Sequence, residues 1–182
     1  KSIQTDEVVD IHGQDLRIRP DTGAFDLQAG QTQFGRHRDD DGNWFGCNNS
    51  LPVRHYVHPA QYLRRNPFVP PAIPSRDVAR LDNTQVFPIS RVLSHWSGYV
   101  PPAAGSQHAY TSACSTVVYR DNLFGPDFIQ NTFTCEPVHN LVQRLRLVPS
   151  GATFESARPS DETNIEFLAS QDSWFRPVSV TT

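Results

Sequence analysis

Residues 31–49, QTQFGRHRDDDGNWFGCNN, constrain the fold more than any other part of this chain. They read as two β-strands joined at an Asp-Gly turn, with arginine, histidine and aromatic side chains in the strands and paired asparagines at the exit. Gly42 suits that turn because glycine takes the positive φ that a tight reversal needs. Residues 17–27, RIRPDTGAFDL, hold a second reversal in which Pro20 and Asp21 open the turn and Gly23 supplies the positive φ. Two such hairpins in succession predict a meander of antiparallel strands.

Short segments of alternating or β-branched residues predict strands at 15–19, 24–27, 33–38, 43–46, 115–119, 131–136, 141–148, 152–156 and 176–180. No long helical pattern interrupts them, so the fold class is all-β. Between about residues 58 and 110 the prolines at 59, 67, 70, 71, 74, 88, 101 and 102 break every periodicity. Only 61–65 and 89–95 have room for a short helical turn. This stretch reads as a long loop inserted into one β-domain spanning 1–182. Its aromatics and histidines, among them His58, Tyr62, Phe68, Phe87, His95 and Trp96, favour order over disorder.

At 182 residues the chain is long enough for one ordinary core, but 37% hydrophobic residues, 15 prolines and a mean hydropathy of -0.48 leave much of it in loops. The net charge of -3 offers no basic field for nucleic acid, and no apolar run approaches the ~20 residues of a membrane-spanning helix. The sequence starts at Lys1, contains no methionine and ends within a strand-like VSVTT, so it is expected to be part of a longer polypeptide. Three cysteines, at 47, 114 and 135, include no Cys-x-x-Cys pair. A four-cysteine zinc site and a covalently attached c-type haem are therefore both outside this chain's means. Cys114 and Cys135 flank the RDNLFGPDF loop and are expected on adjacent strands, either bridged or as buried free thiols, while Cys47 is expected to stay unpaired.

Residues 110–148, YTSACSTVVYRDNLFGPDFIQNTFTCEPVHNLVQRLRLV, resemble the soluble quinoprotein glucose/sorbosone dehydrogenase family. Taken with GQTQFGRHRDDDGNWFGCNNS, HYVHPAQYLRRNP and EFLASQDSWFRPV, they resemble more closely the membrane-bound dehydrogenase domain of planctomycete-type bacteria. The resemblance implies a six-bladed β-propeller of four-stranded sheets, about 40 to 45 residues to a blade, of which this chain would hold three to four. It implies a periplasmic oxidoreductase that acts on a sugar with pyrroloquinoline quinone and Ca²⁺. Its partners would be the remaining blades and a c-type haem domain outside this chain. A non-catalytic propeller that binds glycans or partner proteins is the alternative.

The resemblance also assigns roles. Arg176 in WFRPV falls where the family places an arginine on the quinone carboxylates, a match of guanidinium fork to carboxylate. At the family's Gly-x-Arg-Asn position this chain reads Gly30-Gln31-Thr32-Gln33, which replaces two quinone-contacting groups with neutral ones. Gln31, Gln33 and Arg36 are still expected to line the same axial surface, binding something else. His139 and His55 are candidate general bases, with His58 behind them, since hydride leaves a sugar carbon only as its hydroxyl proton is removed. Glu136-Pro137-Val138-His139-Asn140 is the sharpest constellation, because its carboxylate and amide (Glu136, Asn140) could hold a cation beside the imidazole. The triplet Asp39-Asp40-Asp41 before Gly42 reads as a turn, since the downstream glutamate of a calcium loop is missing.

Overall fold

The computed structural model describes residues 1–2, 4–68, 73–79, 83–90 and 108–182. It opens with a hairpin, β1 (Asp15–Ile18) and β2 (Phe25–Gln28), in register Asp15↔Gln28. Gly23 closes its turn at φ 67°, where its N–H reaches the Arg19 carbonyl.

The next four strands pair in chain order: β3 (Arg36–Arg38), β4 (Trp44–Asn48), β5 (Leu51–Tyr56) and β6 (Ser75–Asp77). The β3–β4 reversal is the Asp-Gly turn, and it is locked by the buried Asp39, whose carboxylate accepts from the Asn43 backbone N–H at 2.7 Å and side-chain amide at 2.8 Å. The reversal falls at the Asp-Gly turn the sequence predicts, and Asp39 and Asn43 fill it with their own side chains. Between β5 and β6 a single helical turn, α1 (Ala60–Leu63), follows Pro59. Strands β7 (Gln85–Val86) and β8 (His108–Ala109) form a two-residue pair.

A second large sheet follows, again in chain order: β9 (Cys114–Val118), β10 (Asn131–Glu136), β11 (Leu141–Ser150) and β12 (Thr153–Ala157), with β13 (Leu168–Ala169) added beside β11. All pairings are antiparallel, so the described residues are all-β apart from α1 and two short 3₁₀ turns. The strands fall into four separate sheets, and among the described residues they close no ring. No helix among them is long and apolar enough to cross a membrane.

The core lies between the two large sheets. Phe45 and Val53 of the first, with Val78 just past β6, pack on Val118 and Leu145 of the second, all five at most 1% exposed. Each side chain of that size contributes about 1.5–3 kcal/mol by leaving water. Polar links cross the same seam. The Pro52 carbonyl accepts from the Thr116 and Thr134 hydroxyls, and the Cys47 thiol donates weakly to the Ala113 carbonyl at 3.6 Å. Pro52 has no N–H to give a neighbouring strand, and the β4–β5 register shifts just there, between Gly46 and Asn48.

Three expectations need correction. Residues 51–56 form a central strand, because Val53 and His55 point inward while Arg54 is only partly covered on the other face. The 58–110 stretch is not only loop: three strands fit between its prolines because each is just two or three residues long. Parts of it (69–72, 80–82 and 91–107, including 91–95 of the expected turn at 89–95, with His95 and Trp96) lie outside the described residues. Residues 176–180 pair with no strand; Val180 instead packs on the β9–β10 core, and its N–H bonds the Ser115 hydroxyl at 3.3 Å.

Candidate ligand-binding site

The β1–β2 hairpin lies against the outer face of the first sheet and leaves a cleft of about 520 Å³ between them. Strand alternation puts Arg36, Trp44 and Tyr56 on that outer face, opposite to Phe45 and His55. Arg36 is the centre of the floor. Its Nε lies 2.5 Å from Asp15 Oδ2, Nη2 bonds the Ala29 carbonyl, and its guanidinium stacks 3.8 Å from the Tyr56 ring centroid. The same Asp15 carboxylate accepts from Thr32 N at 2.8 Å and Thr32 Oγ1 at 2.7 Å.

Two glycines make this packing possible. A Cβ on Gly30, at φ 133°, would run into Arg36 Nη2 and the Tyr56 ring, and one on Gly46 would run into the Thr32 methyl. Tyr56 itself is 5% exposed, and its hydroxyl has no hydrogen-bond partner among the described residues. Burial, with the Asp15 charge beside it, pushes that phenol up to about 12. The walls carry the Trp44 ring, 41% exposed, and the amides of Gln14, Gln28 and Gln61. The cleft thus offers an aromatic face, neutral amides, the Asp15–Arg36 pair, and the side chains of His58 and of Arg17, the latter paired with Asp26.

Thr32 also lines a second, shallower depression of about 510 Å³ with Gln31, Gln33, Asn48, Asn49 and Ser50. Every one of these side chains is an uncharged amide or hydroxyl. Gln33 Oε1 accepts from the Asn49 N–H at 3.0 Å, while the buried Asn48 Oδ1 has no partner among the described residues.

The Glu136–Asn140 turn between β10 and β11 is organised differently. Glu136 is fully buried, and its carboxylate accepts from the Thr111, Ser112 and Val138 N–H groups at 2.8–3.3 Å. His139 is also fully buried, its Nδ1 3.2 Å from Glu136 Oε1 without the alignment of a hydrogen bond, and its ring edge-on to His108 at 5.0 Å. Asn140 takes the left-handed conformation at φ 57°; its amide bonds Ser90 Oγ at 2.9 Å, with the nitrogen suited to the Pro137 and Phe175 carbonyls. Arg176 reaches the same turn, donating to the Pro137 carbonyl at 3.0 Å. Four of the sequence's candidates, Glu136, His139, Asn140 and Arg176, therefore do meet. They meet as the framework of a closed turn.

The other candidates are elsewhere. His55 faces the inter-sheet core, stacked on Phe45 at 5.1 Å with Nδ1 2.9 Å from Thr153 Oγ1, and burial lowers its pKa. Arg36 lies on the far face of that sheet, and Gln33 on the amide ledge. The groups that the resemblance assigns to the quinone and Ca²⁺ already have partners within the chain. Arg36 is turned into Asp15, Arg176 caps a backbone carbonyl, and the Glu136 oxygens are taken by backbone amides. Among the described residues no group of three His, Cys, Asp or Glu side chains is placed to hold a metal ion.

Sequence reasoning passed over Asp15, Thr32 and Tyr56, whose partners are long-range. Trp44 carried a visible signal, an aromatic two residues after the Asp-Gly turn and hence on a strand face. No curated protein and no solved structure matches the chain. A family model does match, over residues 1–182, and the chain belongs to that family, a domain of unknown function, DUF7133.

Proposed function

We propose that this chain is a non-catalytic β-propeller-type module that binds a neutral carbohydrate in the Arg36 cleft. The observation that carries the reading is the half-exposed Trp44 ring set among three glutamine amides, in a cleft whose two arginines are already paired, Arg36 with Asp15 and Arg17 with Asp26. An aromatic face takes the apolar C–H face of a sugar ring while amides exchange hydrogen bonds with its hydroxyls, and a cleft of this size matches a small-ligand site. The propeller part of the reading is supported by two four-stranded meanders, each in chain order and packed face to face. Further blades would then be the module's structural partners.

Isothermal titration against a panel of neutral sugars tests this. Binding that Trp44→Ala abolishes is the expected result; no binding across the panel, or binding that survives Trp44→Ala, removes the reading.

The oxidoreductase reading has one observation on its side, the meeting of Arg176 with the Glu136–Asn140 turn. It would be an extracytoplasmic domain passing electrons to a haem domain outside this chain. Adding pyrroloquinoline quinone and Ca²⁺ and following dye reduction with aldoses tests it. It stands only if reduction occurs and His139→Ala abolishes it.

A further inference from the structure

We infer that the carbohydrate is an oligosaccharide rather than a single sugar, and that the ledge formed by Gln31, Gln33, Asn48 and Asn49 is a second subsite continuous with the Arg36 cleft. This rests on the carbohydrate reading of that cleft. The joint is Thr32, which lines both depressions while its hydroxyl and N–H are held by Asp15, so the residue shared by the two is fixed in place. Gly46 beneath it keeps the threonine methyl tucked against the sheet, where any Cβ would displace it.

The ledge has a chemistry of its own. All six of its lining residues are uncharged amides or hydroxyls, with no aromatic ring and no ionised group. Such a surface has nothing to attract an anion, a cation or an apolar chain, but it presents both donors and acceptors to a ligand that carries both on every ring. Asn48 lines the ledge and is itself only partly covered, and a turn of its side-chain amide would bring Oδ1, which is covered and without a partner among the described residues, to such a ligand's hydroxyl. A buried acceptor left open costs free energy in the free protein, and a bound hydroxyl recovers it. The two depressions thus divide the work: the Trp44 cleft grips one sugar ring by its face, and the ledge takes the hydroxyls of the next.

The test uses immobilised neutral saccharides of one to six residues, probed with the wild-type chain and with Asn48→Ala, Gln31→Ala and Trp44→Ala. Affinity should rise from one residue to two or three and then level off. Asn48→Ala should weaken the longer ligands about tenfold, as for loss of one buried hydrogen bond, and leave the monosaccharide unchanged. Gln31 is exposed, so Gln31→Ala leaves folding untouched and should show the same length-selective loss in smaller measure. Affinity independent of length, or both ledge variants weakening all lengths equally or none, overturns the second subsite while leaving the cleft reading intact. No retention of any saccharide, or retention by Trp44→Ala, overturns both.

Discussion

Cys114 and Cys135 stand directly opposite each other across the β9–β10 pair, and both are buried free thiols. Burial pushes Cys114 up to about 11 and Cys135 up to about 12, and it raises Cys47 as well. Because the thiolate is the reactive form, all three should resist alkylation by iodoacetamide at pH 8 in the native protein and react together on unfolding in urea. Rapid labelling of one of them in native buffer would contradict the burial described.

His55 gives the fold an acid sensitivity. Burial lowers its pKa in the folded state, as it does for His37. Near neutral pH both states hold the ring uncharged. Below the unfolded value of about 6.5, the unfolded chain takes up a proton that the buried ring refuses, so stability falls as pH drops. Each such histidine can contribute a slope of up to about 1.4 kcal/mol per pH unit. Urea denaturation from pH 7.5 to 5 should show this loss. His55→Phe, which keeps the stack on Phe45 and Phe154, should reduce it and leave the share of His37.

Asp15 is the hub of the cleft floor, accepting from Arg36 and twice from Thr32. Asp15→Ala leaves a largely covered guanidinium without its partner and should cost about 2–4 kcal/mol, read from the shift in urea midpoint. Sugar binding should be lost with it.

Gly30→Ala probes the same floor from the backbone side. The added methyl meets Arg36 and Tyr56 at a φ that alanine rarely adopts. A loss of about 2 kcal/mol in thermal or chemical denaturation is expected, whereas Gly42→Ala, whose Cβ would meet nothing, should cost only its positive-φ strain.

Phe45 joins the two sheets. Phe45→Ala should cost about 3–5 kcal/mol and unfold both sheets in one transition, followed by far-UV circular dichroism.

What could be read from the sequence was local. The Arg19–Gly23 and Asp39–Gly42 reversals are written in turn residues, and β10 falls where its alternation puts it. β5 was hidden because Pro52, Arg54 and His55 disguise a strand whose inward face is settled only by the second sheet. The same limit governs the sites. The Glu136–Asn140 spacing announces a carboxylate, an imidazole and an amide in one turn, but not that backbone amides consume the carboxylate. Arg36 was visible as an arginine on a strand, while its partners Asp15 and Tyr56 lie about twenty residues to either side and become neighbours only through folding.

In both large sheets each strand pairs with the next in the chain, apart from the late addition of β13, so closing either sheet needs mostly local reversals, with small loop entropy. The contacts of long sequence separation, Phe45 with Val118, Cys47 with Ala113 and Pro52 with Thr134, belong to the seam between the sheets. On this layout hairpin growth within each sheet is expected to be fast and the docking of one sheet on the other slower. Cooperativity therefore resides in the seam, so a change in a hairpin turn is felt by one sheet, whereas a change at Phe45 or Pro52 is felt by the whole molecule.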